Sequence, residues 1–499
     1  MTINPILCQF NDVDKDLVAL LFTGLTKPDD KGGVAPDLAK GWQVDAEGRT
    51  YVFQLRPDVK WHDGHPFDAD DVVFTVKALQ DPEYQGSPDL AALWKNVVVE
   101  KTDALTVRFV LREPFAPFLT YTTIGILPAH LLASVPAREL PTNAFRMMPV
   151  GTGMFKLTEA TVEYAVLQRN DDFYGKKPYL SRIRLNFYAD HQAAVAALQR
   201  KEVQGAAYLS AEDMAQLAAN QNVNVYRSHR TMSTILYLNN KSPFFKDKLV
   251  RQALARAIDR DQVISFAVQG EAVPAVGPIL PGTWAFDQTV PIQKHDPAQA
   301  GALLDQAGWV TGADGLRAKD GQAFVFSLMT NDDPTRIKTA EEIARQLRKV
   351  GIKAEVSASG YSGLLQNFLI PRRFDAIIFG WDNGFDPDGY SSWHSAQATT
   401  EGFNFASYSN KTVDELLEKG RQTQDENQRR QLYSEFQKTF ADEVPSIFLY
   451  YPGYTYALDK TVRGVRIDLI DEPSARFAHI DEWYIKFRTE RVSATQTKR

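Results

Sequence analysis

Hydrophobic and polar positions change period several times along the chain, and each change marks an element. Tyr51, Phe53 and Leu55 alternate with Val52 and Gln54, which predicts a strand over Arg49–Leu55 with one buried face. The run Lys40–Trp42 pairs with it through the polar turn Asp45-Ala46-Glu47-Gly48, where Gly48 supplies the positive φ a hairpin needs. Asp68 stands as an N-cap before the helical period Ala69–Leu79. A second hairpin, Val97–Glu100 with Thr106–Leu111, ends in the loop Glu113-Pro114-Phe115-Ala116-Pro117.

From Pro149 the texture changes. Tyr164–Arg169 and Ile183–Tyr188 read as strands, Gln192–Gln199 as an Ala-rich helix, and Gly205–Leu209 opens an alternation of strand and helix. A strand around Thr234–Asn240 leads to the helix Lys248–Ile258, with Leu249, Ala253, Leu254 and Ala257 on one face. Asp296-Pro297 is an N-cap followed by proline at the first helical position, and that helix stops at Gly308. Ala323–Thr330, the helix Thr335–Val350, Gly351 and Ile352–Val356 form a βαβ unit of an open α/β sheet. Phe374–Phe379 is a further strand opening onto the loop Gly380–Tyr390. Helices over Val413–Lys419 and Asn427–Asp442 then lead to the apolar strand Ser446–Tyr451. The tail Ser493–Arg499 is polar.

Composition narrows what such an α/β chain does. With 499 residues, 44% of them hydrophobic, there is material for about three domain-sized units. The formal net charge of −6 gives no global reason to seek nucleic acid. Cys8, the one cysteine, excludes an internal disulfide, thiolate zinc cages and C-x-x-C redox pairs. No run approaches the roughly 18 apolar residues of a membrane span, and Met1-Thr2-Ile3-Asn4-Pro5 carries no basic, then apolar, leader.

Phosphate-loop, nucleophile-elbow, zincin and EF-hand motifs are all absent. Gly151-Thr152-Gly153 lacks a third glycine and reads as a turn. His62 and His65 flank Asp63-Gly64 but have no further ligand near them in sequence, so a turn is favoured over a metal site. The segment Trp381-Asp382-Asn383-Gly384-Phe385-Asp386-Pro387-Asp388 is the richest in chemistry. It follows a predicted strand at its carboxyl end, where open α/β sheets place ligands. It combines an aromatic platform, three carboxylates and an amide. Two readings stand side by side, a ligand-binding loop and an Asx-rich turn, with calcium a lesser option.

Several of these segments, taken in order, carry a resemblance. They are Leu21-Phe22-Thr23-Gly24-Leu25, Pro36–Trp42, Tyr51–Arg56, Val59–Gly64, Phe67–Val72, Gly151-Thr152-Gly153, Asp172-Phe173-Tyr174, Val250–Leu254, Ala257–Arg260, Ala307-Gly308-Trp309, Phe374-Asp375 and Gly380-Trp381. Together they resemble family 5 extracellular solute-binding proteins, the dipeptide- and oligopeptide-binding receptors of ABC importers.

The resemblance implies a type II periplasmic-binding-protein fold: two α/β lobes joined by hinge strands, with a small extra subdomain inserted in the first lobe. Residues 1–44, 149–237 and 452–499 would form the first lobe, 45–148 the inserted subdomain and 238–451 the second lobe. The implied function is capture of a peptide or other small solute by hinge closure and delivery to the membrane subunits of an ABC permease, with no cofactor and no catalysis. An oligosaccharide-binding member and a carbohydrate-acting hydrolase are the alternatives. A monomer is expected, periplasmic or extracytoplasmic, with membrane tethering before removal of a leader or lipid anchor as an option. The resemblance implies a leader and a first strand that this sequence lacks, through trimming or a truncated reading frame. In peptide-binding members an aspartate three positions after the tryptophan pairs with the peptide amino terminus. That position here is Gly384, and an arginine found three before the tryptophan in some oligopeptide binders is replaced by Ile378. The expected ligand contacts are therefore Trp381, Asp382, Asn383 and Asp386, with Asn11 and Asp14 from the first lobe and Tyr237 and Tyr451 flanking the hinge crossings.

Overall fold

The computed structural model describes residues 1–486 apart from 9, 10, 30, 208, 219, 383 and 469, and its plan follows from one strand, Ser446–Asp459, of 14 residues. The first part of this strand pairs with Met232–Leu238, and the sheet continues through Ala376–Asp382, Val325–Asn331 and Lys353–Ser359. The last three are parallel, with the helix Pro334–Arg348 as the crossover between Val325–Asn331 and Lys353–Ser359. The second part of the long strand pairs with Val223–His229 and Gly205–Ala207. One strand therefore belongs to two lobes.

Alternation along the strands supplies a core on each face. In the second lobe Leu328, Ile378, Ile343 and Leu347 pack on one side of the sheet, and Ile377, Phe379, Phe436 and Phe448 on the other. In the first lobe Tyr456 and Leu458 join the large cluster that contains Leu17, Phe53 and Trp483, while Ala457 faces a small one with Leu198 and Met214.

The two lobes are connected by a two-stranded antiparallel ribbon, 223–238 against 446–459. Its crossings are Arg230–Thr231 and Pro452–Gly453, tied by the Arg230 N–H donating to Pro452 O at 3.1 Å. The boundary expected at 237 falls inside the strand Met232–Leu238, and the change of partner lies at 230–231. Met232–Leu238 pairs along its whole length with Ala376–Asp382 and belongs to the second lobe. No glycine or proline between His229 and Met232 marks this change of partner. Likewise Ser446–Tyr451 runs on to Asp459, because Pro452 lies where the partner strand changes from Ala272–Pro274 to Val223–His229.

The inserted subdomain is a four-stranded antiparallel sheet in the order Ala39–Val44, Thr50–Leu55, Thr106–Val110, Val98–Asp103. It begins at 39 and not at 45, since a cut at 45 would separate the two strands of its first hairpin. Asp68 and Asp71 close a capping box on the helix Ala69–Gln80, and Asp71 also accepts from Trp61 Nε1 at 3.1 Å. His62 holds the Gly151–Gly153 turn: its Nδ1 accepts from Gly151 N at 3.1 Å and its Nε2 lies 3.1 Å from Gly153 O. A Cβ on Gly151 would sit 1.8 Å from Leu21 O, so close backbone approach explains that glycine. Burial lowers the His62 pKa to about 4 and keeps the ring neutral.

Candidate functional site

The three parallel strands of the second lobe end at Asn331, Ser359 and Asp382. Their carboxyl ends form the kind of crevice in which open α/β sheets bind ligands. The strand expected to stop at Phe379 continues to Asp382, so Trp381 and Asp382 sit on a rigid ladder and not in the loop. Side chains alternate along it. Trp381, half-buried, turns to the side of Phe403 and Phe405, whose ring centroids lie 5.0 and 5.6 Å from the indole. Asp382 is exposed on the opposite face. Its Oδ1 accepts from the Thr231 hydroxyl at 2.7 Å and from Gly384 N at 3.0 Å. Thr231 is a hinge-crossing residue, so this bond connects the crevice directly to the axis of lobe motion. Asn383 lies outside the described residues.

The rest of the loop is braced by ion pairs. Asp386 receives Arg429 at 2.9 and 3.2 Å and also accepts from Asp388 N. Its carboxylate, expected to reach for ligand, is engaged by Arg429 within the lobe. Asp388 pairs with Arg421 at 2.7 Å. The Arg421 guanidinium lies 4.0 Å from the Tyr390 ring centroid and 5.1 Å from that of Phe115 in the inserted subdomain, while the Ala116 N–H donates to Arg421 O at 2.7 Å. The loop thus meets both lobes.

Four more expected contacts have the following surroundings in the structure. Asn11 is the N-cap of the helix Asp12–Leu21, accepting from Val13 N and Asp14 N; a short polar side chain just before a helix satisfies its free N–H groups. Asp14 is buried and accepts from Thr2 N at 2.7 Å. Tyr237 is fully buried beneath the site, between Trp393 and Phe405, with its phenol pKa pushed far up by burial. It supports Phe405, which supports Trp381. Tyr451 is equally buried and donates to Gly277 O at 3.4 Å. Strand alternation puts both tyrosines on the core side of the hinge strands.

Residues that sequence reasoning missed lie around the crossing. Asp471 is half-buried in the C-terminal segment; its carbonyl accepts from the Arg230 guanidinium at 3.5 Å and its neighbour Ile470 takes the Thr231 N–H at 3.0 Å. Burial, reinforced by the carboxylates of Glu472 and Asp382, raises the Asp471 pKa to about 6. The native state therefore holds this proton more tightly than the unfolded chain. The resulting stability is fully present below about pH 4, the unfolded value, and is lost as pH rises through about 6. Asp471→Asn, which mimics the protonated form, is expected to gain up to about 3 kcal/mol on the wild type between those limits. Parallel unfolding free energies of the two proteins across that range would contradict the assignment. Arg336 and Tyr361 were missed as well. The same crevice rule applied to the strands ending at Asn331 and Ser359 would have pointed to them.

Residues 33–403 match the family described as Bacterial extracellular solute-binding proteins, family 5 Middle. The oligopeptide-binding protein AppA of Bacillus subtilis is 31% identical over 96% of this chain and 89% of its own length. The structure of AppA from Bacillus subtilis in complex with a nonapeptide superposes with a TM-score of 0.74 at 30% identity, covering 98% of this chain and 97% of that one. NikZ from Campylobacter jejuni in complex with Ni(L-His) gives a TM-score of 0.77 at 29% identity, with 97% of each chain covered.

Proposed function

Since the chain belongs to the family 5 bacterial extracellular solute-binding proteins, a family of extracytoplasmic substrate-binding receptors of ABC importers, we propose that its own cargo is a short peptide held between the lobes against the Trp381–Asp382 strand end. The observation that carries this reading is the joint placement of an aromatic platform and a hinge-tethered carboxylate at the carboxyl ends of three parallel strands. The likeness to an oligopeptide-binding relative over nearly the whole chain supports it.

The mechanism needs no covalent step. Peptide contacts made by both lobes favour the closed arrangement by their differential affinity, and the ribbon at 230–231 and 452–453 takes up the motion. Moving a population from mostly open to mostly closed takes about 5.5 kcal/mol of such difference. A few charge-assisted hydrogen bonds of about 1.5–3 kcal/mol each supply it. The Thr231–Asp382 bond places one of those carboxylates on the hinge itself. The closed receptor then docks on the permease subunits as a monomer and releases the peptide unaltered. A labelled peptide incubated with the protein is therefore expected back intact.

Trp381→Ala tests the site. Loss of the indole face is expected to weaken peptide binding about tenfold or more, while the sheet beneath, held by Phe405 and Tyr237, stays folded. Calorimetric titration of a peptide library into both proteins measures this. Unchanged affinity in the folded variant would remove Trp381 from the site.

A further inference from the structure

The crevice holds a cation, Arg336, with no ion-pair partner among the described residues. Arg336 is in the first turn of the helix Pro334–Arg348, right after the strand ending at Asn331. Its guanidinium donates to Asn331 Oδ1 at 3.2 Å and lies 5.3 Å from the ring centroid of Phe379, on whose ring the exposed Tyr361 also stacks at 5.7 Å. Among the described residues no carboxylate lies within ion-pair distance of it. The nearest acid in sequence, Asp333, uses a carboxylate oxygen to cap the helix through the Arg336 backbone N–H at 3.0 Å. An arginine fork fixed by an amide and an aromatic ring, with its charge unanswered, is built for a planar anion.

The neighbouring strand keeps room for that fork. A Cβ at position 380 would stand 2.5 Å from an Arg336 guanidinium nitrogen, so glycine there lets the fork lie against bare backbone. Gly380 and Asp382 share a strand face and are about 7 Å apart along it. Cation and carboxylate are thus set side by side on one face without pairing to each other.

Resting on the peptide reading above, we infer that Arg336 is a specificity-determining residue that receives a carboxylate of the bound peptide. That carboxylate is either the C-terminus or an acidic side chain, and the two sources give different results below.

The test titrates wild type, Arg336→Gln and Arg336→Lys with random tri- to pentapeptide libraries. One library has free C-termini, a second is amidated and lacks acidic residues, and a third is amidated but contains glutamate. Wild type is expected to bind a carboxylate-bearing library about ten- to a hundredfold more tightly than the neutral one. Preference for the free-acid library marks the C-terminus, and preference for the glutamate library marks a side chain. Arg336→Gln should bind all three alike, and Arg336→Lys should keep part of the preference. Equal binding of all three libraries by wild type overturns the inference while leaving the peptide reading intact, and needs no variant to fold. An undiminished preference in folded Arg336→Gln also overturns it. Failure of wild type to bind any library overturns the peptide reading and this inference with it.

Discussion

Asp386→Ala is expected to lower the free energy of unfolding by about 3–5 kcal/mol, although the residue stands in the loop that follows the binding strand. Both partners of its ion pair are buried, Arg429 at 8% and Asp386 at 14% side-chain exposure. Without the carboxylate, the guanidinium keeps Gly420 O at 3.0 Å, the Tyr433 hydroxyl at 3.3 Å and the faces of Trp284 and Tyr433, but no anion among the described residues. An uncompensated buried charge is far costlier than the pair is stabilising. Asp386→Ala combined with Arg429→Met should therefore recover most of the loss. Because Asp386 also takes the Asp388 N–H, the single variant loosens the segment that carries Asp388 to Arg421, and peptide affinity should fall with stability. Denaturant unfolding of the single and double variants checks this. A single variant within about 0.5 kcal/mol of wild type would show that the pair is not what orders the loop.

Asp16→Ala should have an effect of the same size in the other lobe. Arg476 donates to both oxygens of Asp16, at 2.7 Å to Oδ1 and more closely to Oδ2, and to Pro473 O at 2.8 Å. Its guanidinium lies 4.1 Å from the Phe477 ring centroid and 5.3 Å from that of Tyr456 on the long strand. The pair fastens the first helix, Asp12–Leu21, to the C-terminal turn Pro473–Phe477, and both side chains are nearly inaccessible. Losing Asp16 strands the arginine in an aromatic pocket, and about 3–5 kcal/mol of stability should go with it. Unlike Asp386→Ala, this variant leaves the second-lobe crevice alone, so the folded fraction should bind peptide as wild type does. An Asp16→Ala protein that unfolds at the wild-type denaturant midpoint would contradict the assignment.

These two pairs show where reading the chain succeeds and where it stops. Local grammar is plain: Asp68 before Ala69, Asp296 before Pro297 and the strand–helix–Gly351–strand unit each declare themselves within a few residues, and each forms. Trp381 at a carboxyl strand end was found by the same local rule. Asp386 looked like a ligand because its partner lies 43 residues away, and Asp16 gave no sign of an arginine 460 residues distant. The hinge position escaped for a related reason. The strands Val223–His229 and Met232–Leu238 both satisfy the alternation rule, and only their pairing with different parts of Ser446–Asp459 assigns them to different lobes. Asn11 is the opposite case, since its capping role is local and legible in the sequence.

Small-angle scattering with and without a saturating peptide tests the central claim most directly. Closure about the ribbon at 230–231 and 452–453 predicts a smaller radius of gyration on binding, and a Trp381→Ala protein should reach that smaller radius only at higher peptide concentration. A wild-type protein that binds peptide with no change in radius would contradict a hinge-closing receptor.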